Sequence, residues 1–330
     1  MSQLISKENL LSWLGELLQD RRLVAPVKVD DMTLFRQVDR VEDIALDFNN
    51  TDLSPKEFFF PASETLFTVE REDGRVELTP AHVERETVVF GMRPCDAKGI
   101  ATLGLPYLEE PGDALFREHR DKTALVGLSC RTACAECFCT SMGSGPDDAS
   151  NLDIMLTEVG DGYLVQVVTG KGKALLPDEL LTTTDVPPPP PPSVAAVTSE
   201  GIVEKMKQAF DSPYWDRVAD RCVHCNICSY VCPTCYCFDV RDYTDKGRIE
   251  RVRSWESCQS PAFTRLAGGH DPRPTKGARM RQRFSHKLFY FPEQFGPLHC
   301  VGCGRCVKSC PVNIDIREII EDVQKMGAKQ

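Results

Sequence analysis

The sequence predicts an α+β protein in two parts: a mixed α/β domain over residues 1–185 and a largely helical domain over residues 199–330. Short strand-like segments alternate with helical ones through the first half. Six consecutive prolines, Pro187–Pro192, then interrupt the chain. A proline run adopts an extended polyproline II helix and acts as a semi-rigid spacer, so we place a linker at residues 186–198. The 330 residues are enough for two separate cores.

The N-terminal domain is predicted from apolar periodicity and turn residues. Its elements are an amphipathic first helix carrying Leu10 to Leu18, a hairpin turning at Asp73–Gly74, a buried strand at 86–92, a helix at 96–105, a buried strand at 123–128 and a hairpin around 160–162. Strands that alternate with helices favour a sheet covered by helices.

Composition and charge exclude several classes of protein. A formal net charge of −10 argues against general nucleic-acid binding, which needs a basic surface. No apolar run reaches the length of about 20 residues that spans a bilayer, and the N-terminus lacks a cleavable apolar segment. We therefore expect a cytoplasmic protein with neither nucleic acid nor membrane as a partner. Sixteen cysteines in such a protein indicate metal binding rather than disulfides.

Two cysteine motifs near the C-terminus carry the strongest signal. Both follow the pattern C-x2-C-x2-C-x3-C-P, one ending at Pro233 and the other at Pro311. This spacing is typical of ferredoxins with two [4Fe-4S] clusters, in which the first three cysteines of a run hold one cluster and the fourth holds the other. The predicted ligands are Cys222, Cys225, Cys228 and Cys310 for the first cluster, and Cys300, Cys303, Cys306 and Cys232 for the second. The C-terminal part is thus predicted to be a two-[4Fe-4S] ferredoxin-like domain.

Zinc and disulfides explain these motifs less well. Structural zinc sites usually join two cysteine pairs across a longer spacer, whereas here four cysteines fall within eleven residues, twice. Such close spacings would strain disulfide bridges. A zinc-bearing scaffold is the weakest alternative, and zinc without iron–sulfur absorbance would establish it.

The segment between the motifs is long, helical in pattern and basic. Helical patterns at residues 261–266 and 275–289 favour a helical ferredoxin over the small β-rich form. From Lys246 to Lys287 the chain has eleven Lys or Arg against three Asp or Glu. Because an oxidised cluster with four thiolates carries a charge of −2, we expect these cations to raise the potential of nearby clusters or to bind an acidic partner. Nucleic acid is a less favoured explanation, since the excess is confined to one segment.

Eight cysteines lie outside the two predicted sets. Five of them follow the ends of the two buried strands: Cys95, Cys130, Cys134, Cys137 and Cys139. Ligands bind at the carboxyl ends of parallel strands, so we expect Cys95 to meet the loop of the other four, and four of the five to hold a third cluster. Alternatively, they are small buried apolar side chains. The remaining three are candidates for an additional site or for thiols beside the clusters: Cys235, Cys237 and Cys258.

The chain resembles the iron–sulfur electron-transfer components of anaerobic sulfite reductase and of sulfhydrogenase-type NiFe hydrogenases, where they form the beta subunit. Besides the two motifs, the segments that carry the resemblance are Ser54–Pro61, Arg93–Asp96, Cys137–Gly143, Cys232–Phe238 and Ser254–Cys258. They span almost the whole chain. The resemblance favours Cys95, Cys130, Cys137 and Cys139 as the third ligand set, with Cys134 peculiar to this chain.

The resemblance implies a non-catalytic electron relay. It places FAD on a partner flavoprotein that handles NAD(P)H, and a terminal redox enzyme of the sulfite reductase, NiFe hydrogenase or heterodisulfide reductase type at the other end. The alternative is an enzyme component whose N-terminal domain binds a flavin or a small substrate, with Arg93 and Lys98 holding an anion. Flavin released from the pure protein would support that alternative.

Overall fold

The computed structural model describes residues 2–72 and 75–326, whose strands form two sheets. In chain order the strands are β1 (Ser2–Ser6), β2 (Arg22–Val29), β3 (Met32–Gln37), β4 (Ser63–Glu72), β5 (Arg75–Pro80), β6 (Thr87–Met92), β7 (Thr123–Leu128), β8 (Ile154–Val159), β9 (Gly162–Val167), β10 (Leu181–Thr184), β11 (Phe238–Asp245) and β12 (Arg248–Trp255).

The two longest helices lie in the first half of the chain, and most helices of the second half are short. They are α1 (Lys7–Asp20), α2 (Pro94–Leu108), α3 (Ala114–Asp121), α4 (Gly170–Leu175), α5 (Ile202–Gln208), α6 (Tyr214–Asp220), α7 (Ile227–Tyr230), α8 (Lys276–Ser285), α9 (Phe291–Phe295), α10 (Arg305–Lys308) and α11 (Ile316–Met326). A π-helical segment, His286–Tyr290, joins α8 to α9. Four 3-10 turns lie at Val41–Asp43, Pro55–Phe58, Cys139–Met142 and Asp178–Leu180.

The first sheet has the order β10-β1-β9-β8-β7-β6-β2-β3, with β2, β6, β7 and β8 parallel. Every residue of β6 and β7 is buried, as parallel strands covered on both faces require. Successive residues of β6 enter opposite cores, Val88 with Leu10 of α1 and Val89 with Ile100 of α2. The predicted first helix, both buried strands, the helix between them and the hairpin of β8 and β9 are confirmed.

The second sheet joins distant parts of the chain in the antiparallel order β11-β12-β4-β5. Strands β4 and β5 pair as the sequence predicted, although the predicted turn at Asp73–Gly74 lies outside the described residues. Strand β4 also pairs with β12, which lies in the other half of the chain. Arg253 of β12, 2% exposed, donates to Glu64 of β4 and to Asp113, which caps α3.

The prediction of a largely helical C-terminal part is only partly met. Helices α5, α6, α8 and α11 share a core around Trp215, Phe284 and Ile320, and each cysteine motif leads into a short helix, α7 or α10. Residues 238–255, however, form the β11–β12 hairpin, turned at Lys246 and Gly247 with φ of 44° and 87°. The helix predicted at 261–266 was wrong: the segment forms turns, because Gly268 and Gly269 follow before a stable helix length is reached.

The proline run is extended and mostly exposed, between β10 and α5. Just after it, the amide of Val197 donates to Ser141 Oγ at 2.8 Å and Ser199 Oγ donates to the Ser141 carbonyl at 2.8 Å. The placement of a domain boundary at this linker stays a prediction. Among the described residues, no helix has the length and apolar character to cross a membrane.

Candidate metal centres

The cysteines predicted for the first cluster line one cavity. Its walls include Cys222, Cys225, Cys228 and Cys310, together with Cys306 of the second set. His224 and Asn226 adopt φ of 53° and 65°, turns that bring the first three thiols around the same space. Burial raises the pKa of the Cys228 thiol to about 11, and of the sixteen cysteines Cys225 is the exposed one.

The second predicted set also comes together. Burial raises the pKa of Cys300 to about 11 and that of Cys303 to about 12, and in both cases the neighbouring thiols of Cys306 and Cys232 add to the increase. The Lys287 ammonium opposes the shift at Cys300. Metal ligation must displace the protons that these buried thiols hold. Within the described residues, no three His, Cys, Asp or Glu side chains meet closely enough to share a single metal ion.

The N-terminal cysteines line a second cavity. Because β6 and β7 run parallel and adjacent, the loops that follow them meet, and the cavity walls include Cys95, Cys130, Cys134, Cys137 and Cys139. The expectation that Cys95 meets the other loop is therefore confirmed. Cys303, from the second predicted set, lines the same cavity. Which four of the five thiols would bind metal stays a prediction.

Arg93 and Lys98 hold this region together through backbone carbonyls. Arg93 donates to the carbonyls of Ser129 at 2.6 Å and Asn49 at 3.0 Å. Lys98 donates to the carbonyl of Met142 at 2.9 Å. The two cations predicted to hold an anion in the enzyme hypothesis thus fix the loops around the N-terminal cysteines.

The second motif packs backbone to backbone against the N-terminal cysteine loop. The amide of Phe138 donates to the Gly302 carbonyl at 2.8 Å. A side chain at Gly302, whose φ is +65°, would begin 2.6 Å from the carbonyl carbon of Phe138, and one at Gly304 would begin 2.7 Å from that of Glu136. The glycines of the motif therefore allow the second and N-terminal cysteine sets to approach closely.

Replacing Gly302 with alanine should destabilise the fold by about 2 kcal/mol or more, since it combines a left-handed backbone with a backbone overlap. The control is Gly160→Ala in the β8–β9 turn, where φ is +51° and nothing lies within 4 Å of the added carbon. That variant should lose only about 1–2 kcal/mol. Thermal unfolding of both variants measures the difference, and equal losses would contradict the close packing at Gly302.

The last three cysteines gather beside the second set. The neighbouring Cys232 thiol, together with burial, raises the pKa of Cys235, and the neighbouring Cys258 thiol, together with burial, raises the pKa of Cys237. Cys235 and Cys258 are both buried, at 8% exposure. The structure thus places these three cysteines in one region, although their spacing in the sequence did not predict it.

Buried cations surround the cysteines. Five of them are exposed by no more than 4%: Lys56, Arg93, Arg283, Lys287 and Arg305. Lys287 Nζ donates to Cys232 Sγ at 3.2 Å, and Arg305 pairs with Asp96 at 2.6 Å. In the described part of the chain, the other four form no salt bridge with a carboxylate. Because unpaired buried charges are costly, anionic thiolate-bound clusters fit this surrounding.

Sequence reasoning missed several of these cations. Lys56 and Arg305 were not singled out, although both lie in segments already noted for their motifs. The basic segment was noted, but four of its cations are buried rather than on a surface: Arg253, Arg279, Arg283 and Lys287. Phe58–Phe60 follows Lys56 closely, and this apolar run could have indicated that the lysine lies in a buried segment.

Two ferredoxin-type motifs that converge around shared cavities, enclosed by cations, define an iron–sulfur electron-transfer protein. Residues 221–314 match the 4Fe-4S dicluster domain family. Over 318 residues, covering 92% of each chain, the protein is 31% identical to Sulfhydrogenase 2 subunit beta of Pyrococcus furiosus. The chain belongs to this family of iron–sulfur electron-transfer subunits, which confirms the resemblance seen in the sequence.

A shorter similarity concerns a much larger protein. Over 111 residues, 34% of this chain and 7% of the relative, the sequence is 32% identical to pyruvate:ferredoxin oxidoreductase of Moorella thermoacetica. No solved structure matches the chain.

Proposed function

We propose that this chain relays electrons between a flavoprotein that handles NAD(P)H and a terminal redox enzyme in a cytoplasmic complex. The relative is the beta subunit of a sulfhydrogenase, which supports a hydrogenase-type terminal enzyme. Sulfite reductase and heterodisulfide reductase types are the other candidates. FAD is expected on the flavoprotein partner.

The observation that carries this proposal is the sharing of cavity walls between cysteine sets. Cys306 lines the cavity of the first set, and Cys303 lines the cavity of the N-terminal set. Both belong to the second set, which therefore lies between the other two. Iron–sulfur clusters bound at these places would carry single electrons, and a continuous series of sites is what a relay needs.

The ligand assignment follows the same order. The first set is Cys222, Cys225, Cys228 and Cys310; the second is Cys232, Cys300, Cys303 and Cys306; the third is Cys95, Cys130, Cys137 and Cys139. The series reaches the surface near Cys225, which is exposed, beside Val223 at 60% exposure. At the other end Cys130 lines a surface cavity with Pro188–Pro191. These two surfaces are the proposed contacts for the redox partners.

The chain's own groups hold the series in place. Gly302 keeps the second set against the N-terminal loop, where its carbonyl accepts the hydrogen bond from Phe138. Arg305 spans the same junction, donating to Asp96 Oδ2 at 3.1 Å and to the Thr51 carbonyl at 2.8 Å. A fixed distance between neighbouring cysteine sets suits a protein that transfers electrons and carries out no reaction on a substrate.

The test uses the full chain with its clusters, prepared without oxygen. Dithionite should bleach its visible absorbance, whereas NADH or NADPH alone should leave it unchanged. When a flavoprotein with NAD(P)H dehydrogenase activity from the same organism is added, NAD(P)H should bleach the visible absorbance. Bleaching by NAD(P)H in the chain alone would contradict a purely relaying role and would favour the enzyme alternative.

A further inference from the structure

We propose that Cys235, Cys237 and Cys258 bind a further iron–sulfur cluster, distinct from the two of the paired motifs and from the N-terminal set. Three corners of this cluster would take cysteine sulfur, and the fourth a ligand other than cysteine. The proposal concerns metal content, so it stands or falls independently of which partners exchange electrons with the chain.

The β11–β12 hairpin brings the three cysteines together. Phe238 pairs with Trp255 at the base of the hairpin, and the Glu256 amide donates to the Cys237 carbonyl at 2.8 Å. This register places Cys237, just before β11, opposite Glu256, which is two residues from Cys258. The neighbouring Cys258 thiol, together with burial, raises the pKa of the Cys237 thiol.

The loop that carries Cys258 is held from both sides. Ser257 and Ser229 share a hydrogen bond between their hydroxyls at 2.9 Å. Gln259, 1% exposed, donates to the Arg279 carbonyl at 2.6 Å. A cysteine between two anchored neighbours is held in position, as a ligand needs.

A buried ammonium group faces these thiols from the N-terminal half of the chain. Lys56 is 2% exposed and donates to the Cys235 carbonyl at 2.9 Å. Its Nζ lies 3.9 Å from the ring centre of Trp255. Burial lowers the pKa of the Lys56 ammonium, and the thiols of Cys235, Cys232 and Cys237 oppose that shift. Within the described residues no carboxylate pairs with Lys56, so its counter-charge must come from the cysteine side.

The charges agree with a cluster that has three cysteine ligands. Two ferric and two ferrous irons, four sulfides and three thiolates sum to −1, which one ammonium balances. The second set, with four thiolates, carries −2 and is faced by Lys287, while Arg283 lies beside cysteines of both the first and the second sets, Cys228 and Cys306. With three neutral thiols and no metal, Lys56 would have the Cys235 carbonyl and the Trp255 ring as partners but no anion, and a buried charge without an anion is costly.

The experiment counts iron and acid-labile sulfide in the full chain and in the variant C235S/C237S/C258S, both purified without oxygen. The unaltered chain should hold about 16 irons and the variant about 12, at four per cluster, with sulfide falling in parallel. The control is Ser63→Ala, which alters an exposed side chain of the same sheet outside every proposed ligand set and should lose no iron. An unchanged iron content in the triple variant would overturn the proposal.

Single variants keep the proposal testable if the triple variant does not fold. Cys237→Ser should alter the Mössbauer and electron paramagnetic resonance signals of one centre while the other centres keep their spectra. Lys56→Met should lower the potential of that same centre. Spectra of Cys237→Ser identical to those of the unaltered chain, or a disulfide between Cys237 and Cys258 in the anaerobic protein, would overturn it.

Discussion

Replacing Lys287 with methionine should lower the reduction potential of the second cluster by on the order of 100 mV. The Lys287 side chain is 2% exposed, and its Nζ donates to Cys232 Sγ at 3.2 Å. At an effective dielectric constant of about 20, a unit charge a few ångströms away contributes about 3–4 kcal/mol. For a one-electron couple, about 59 mV corresponds to a tenfold change in the equilibrium constant. Losing the ammonium therefore disfavours the more negative, reduced state.

A redox titration followed by electron paramagnetic resonance measures this shift on the chain with its clusters. The control is Lys325→Met, which removes the same charge from a side chain that is 73% exposed and lies in α11. That variant should keep the potentials of the unaltered chain, because exposed charges are screened by solvent and salt. If Lys287→Met kept its full iron content and an unchanged potential, Lys287 would not be tuning the cluster.

Replacing Asp96 with asparagine should destabilise the folded chain by about 3–5 kcal/mol, the usual cost of removing one partner of a buried ion pair. Asp96 is fully buried in the first turn of α2, and Arg305 lies within the second cysteine motif. Their closest atoms are 2.6 Å apart. Asparagine keeps the shape of the side chain but leaves the guanidinium of Arg305 without its counter-charge.

The matched control lies in the same neighbourhood. Asp52 pairs with Lys308 at 2.7 Å, but the lysine side chain is 59% exposed. Asp52→Asn should therefore cost no more than about 1 kcal/mol. Thermal unfolding of both variants, at equal cluster content, compares the two pairs. A loss for Asp96→Asn as small as that for Asp52→Asn would show that the buried pair does not join the second motif to α2.

The parts of the fold that the sequence predicts are those with strong local patterns. Strands β6 and β7 are continuous apolar runs, and helix α1 has leucines at regular spacing, so each is visible within a short window. The meeting of Cys95 with the Cys130–Cys139 loop followed from a general property of parallel strands. The spacing of the two motifs likewise predicts which cysteines belong to each of the first two sets.

The parts that sequence reasoning missed depend on contacts between distant residues. Strand β12 has no regular apolar alternation, since Ile249 and Val252 are separated by two charged residues, and its partner β4 lies in the other half of the chain. The basic residues of this segment indicated a charged surface rather than a strand. The apolar residues after Lys56 suggest an enclosed position, but which groups surround it becomes visible only from the packing of Trp255 and Cys235.

The pairing of β4 with β12 has a consequence for biosynthesis. Strand β4 is complete at residue 72, and β12 only at residue 255, so at about 5–20 residues per second its partner emerges roughly ten to forty seconds later. During that interval β4 offers an open edge to other nascent chains. The first cysteine set likewise stays incomplete until Cys310 has been synthesised. Cells that produce this chain must shield the edge first and deliver iron and sulfide afterwards, to a polypeptide that is already nearly finished.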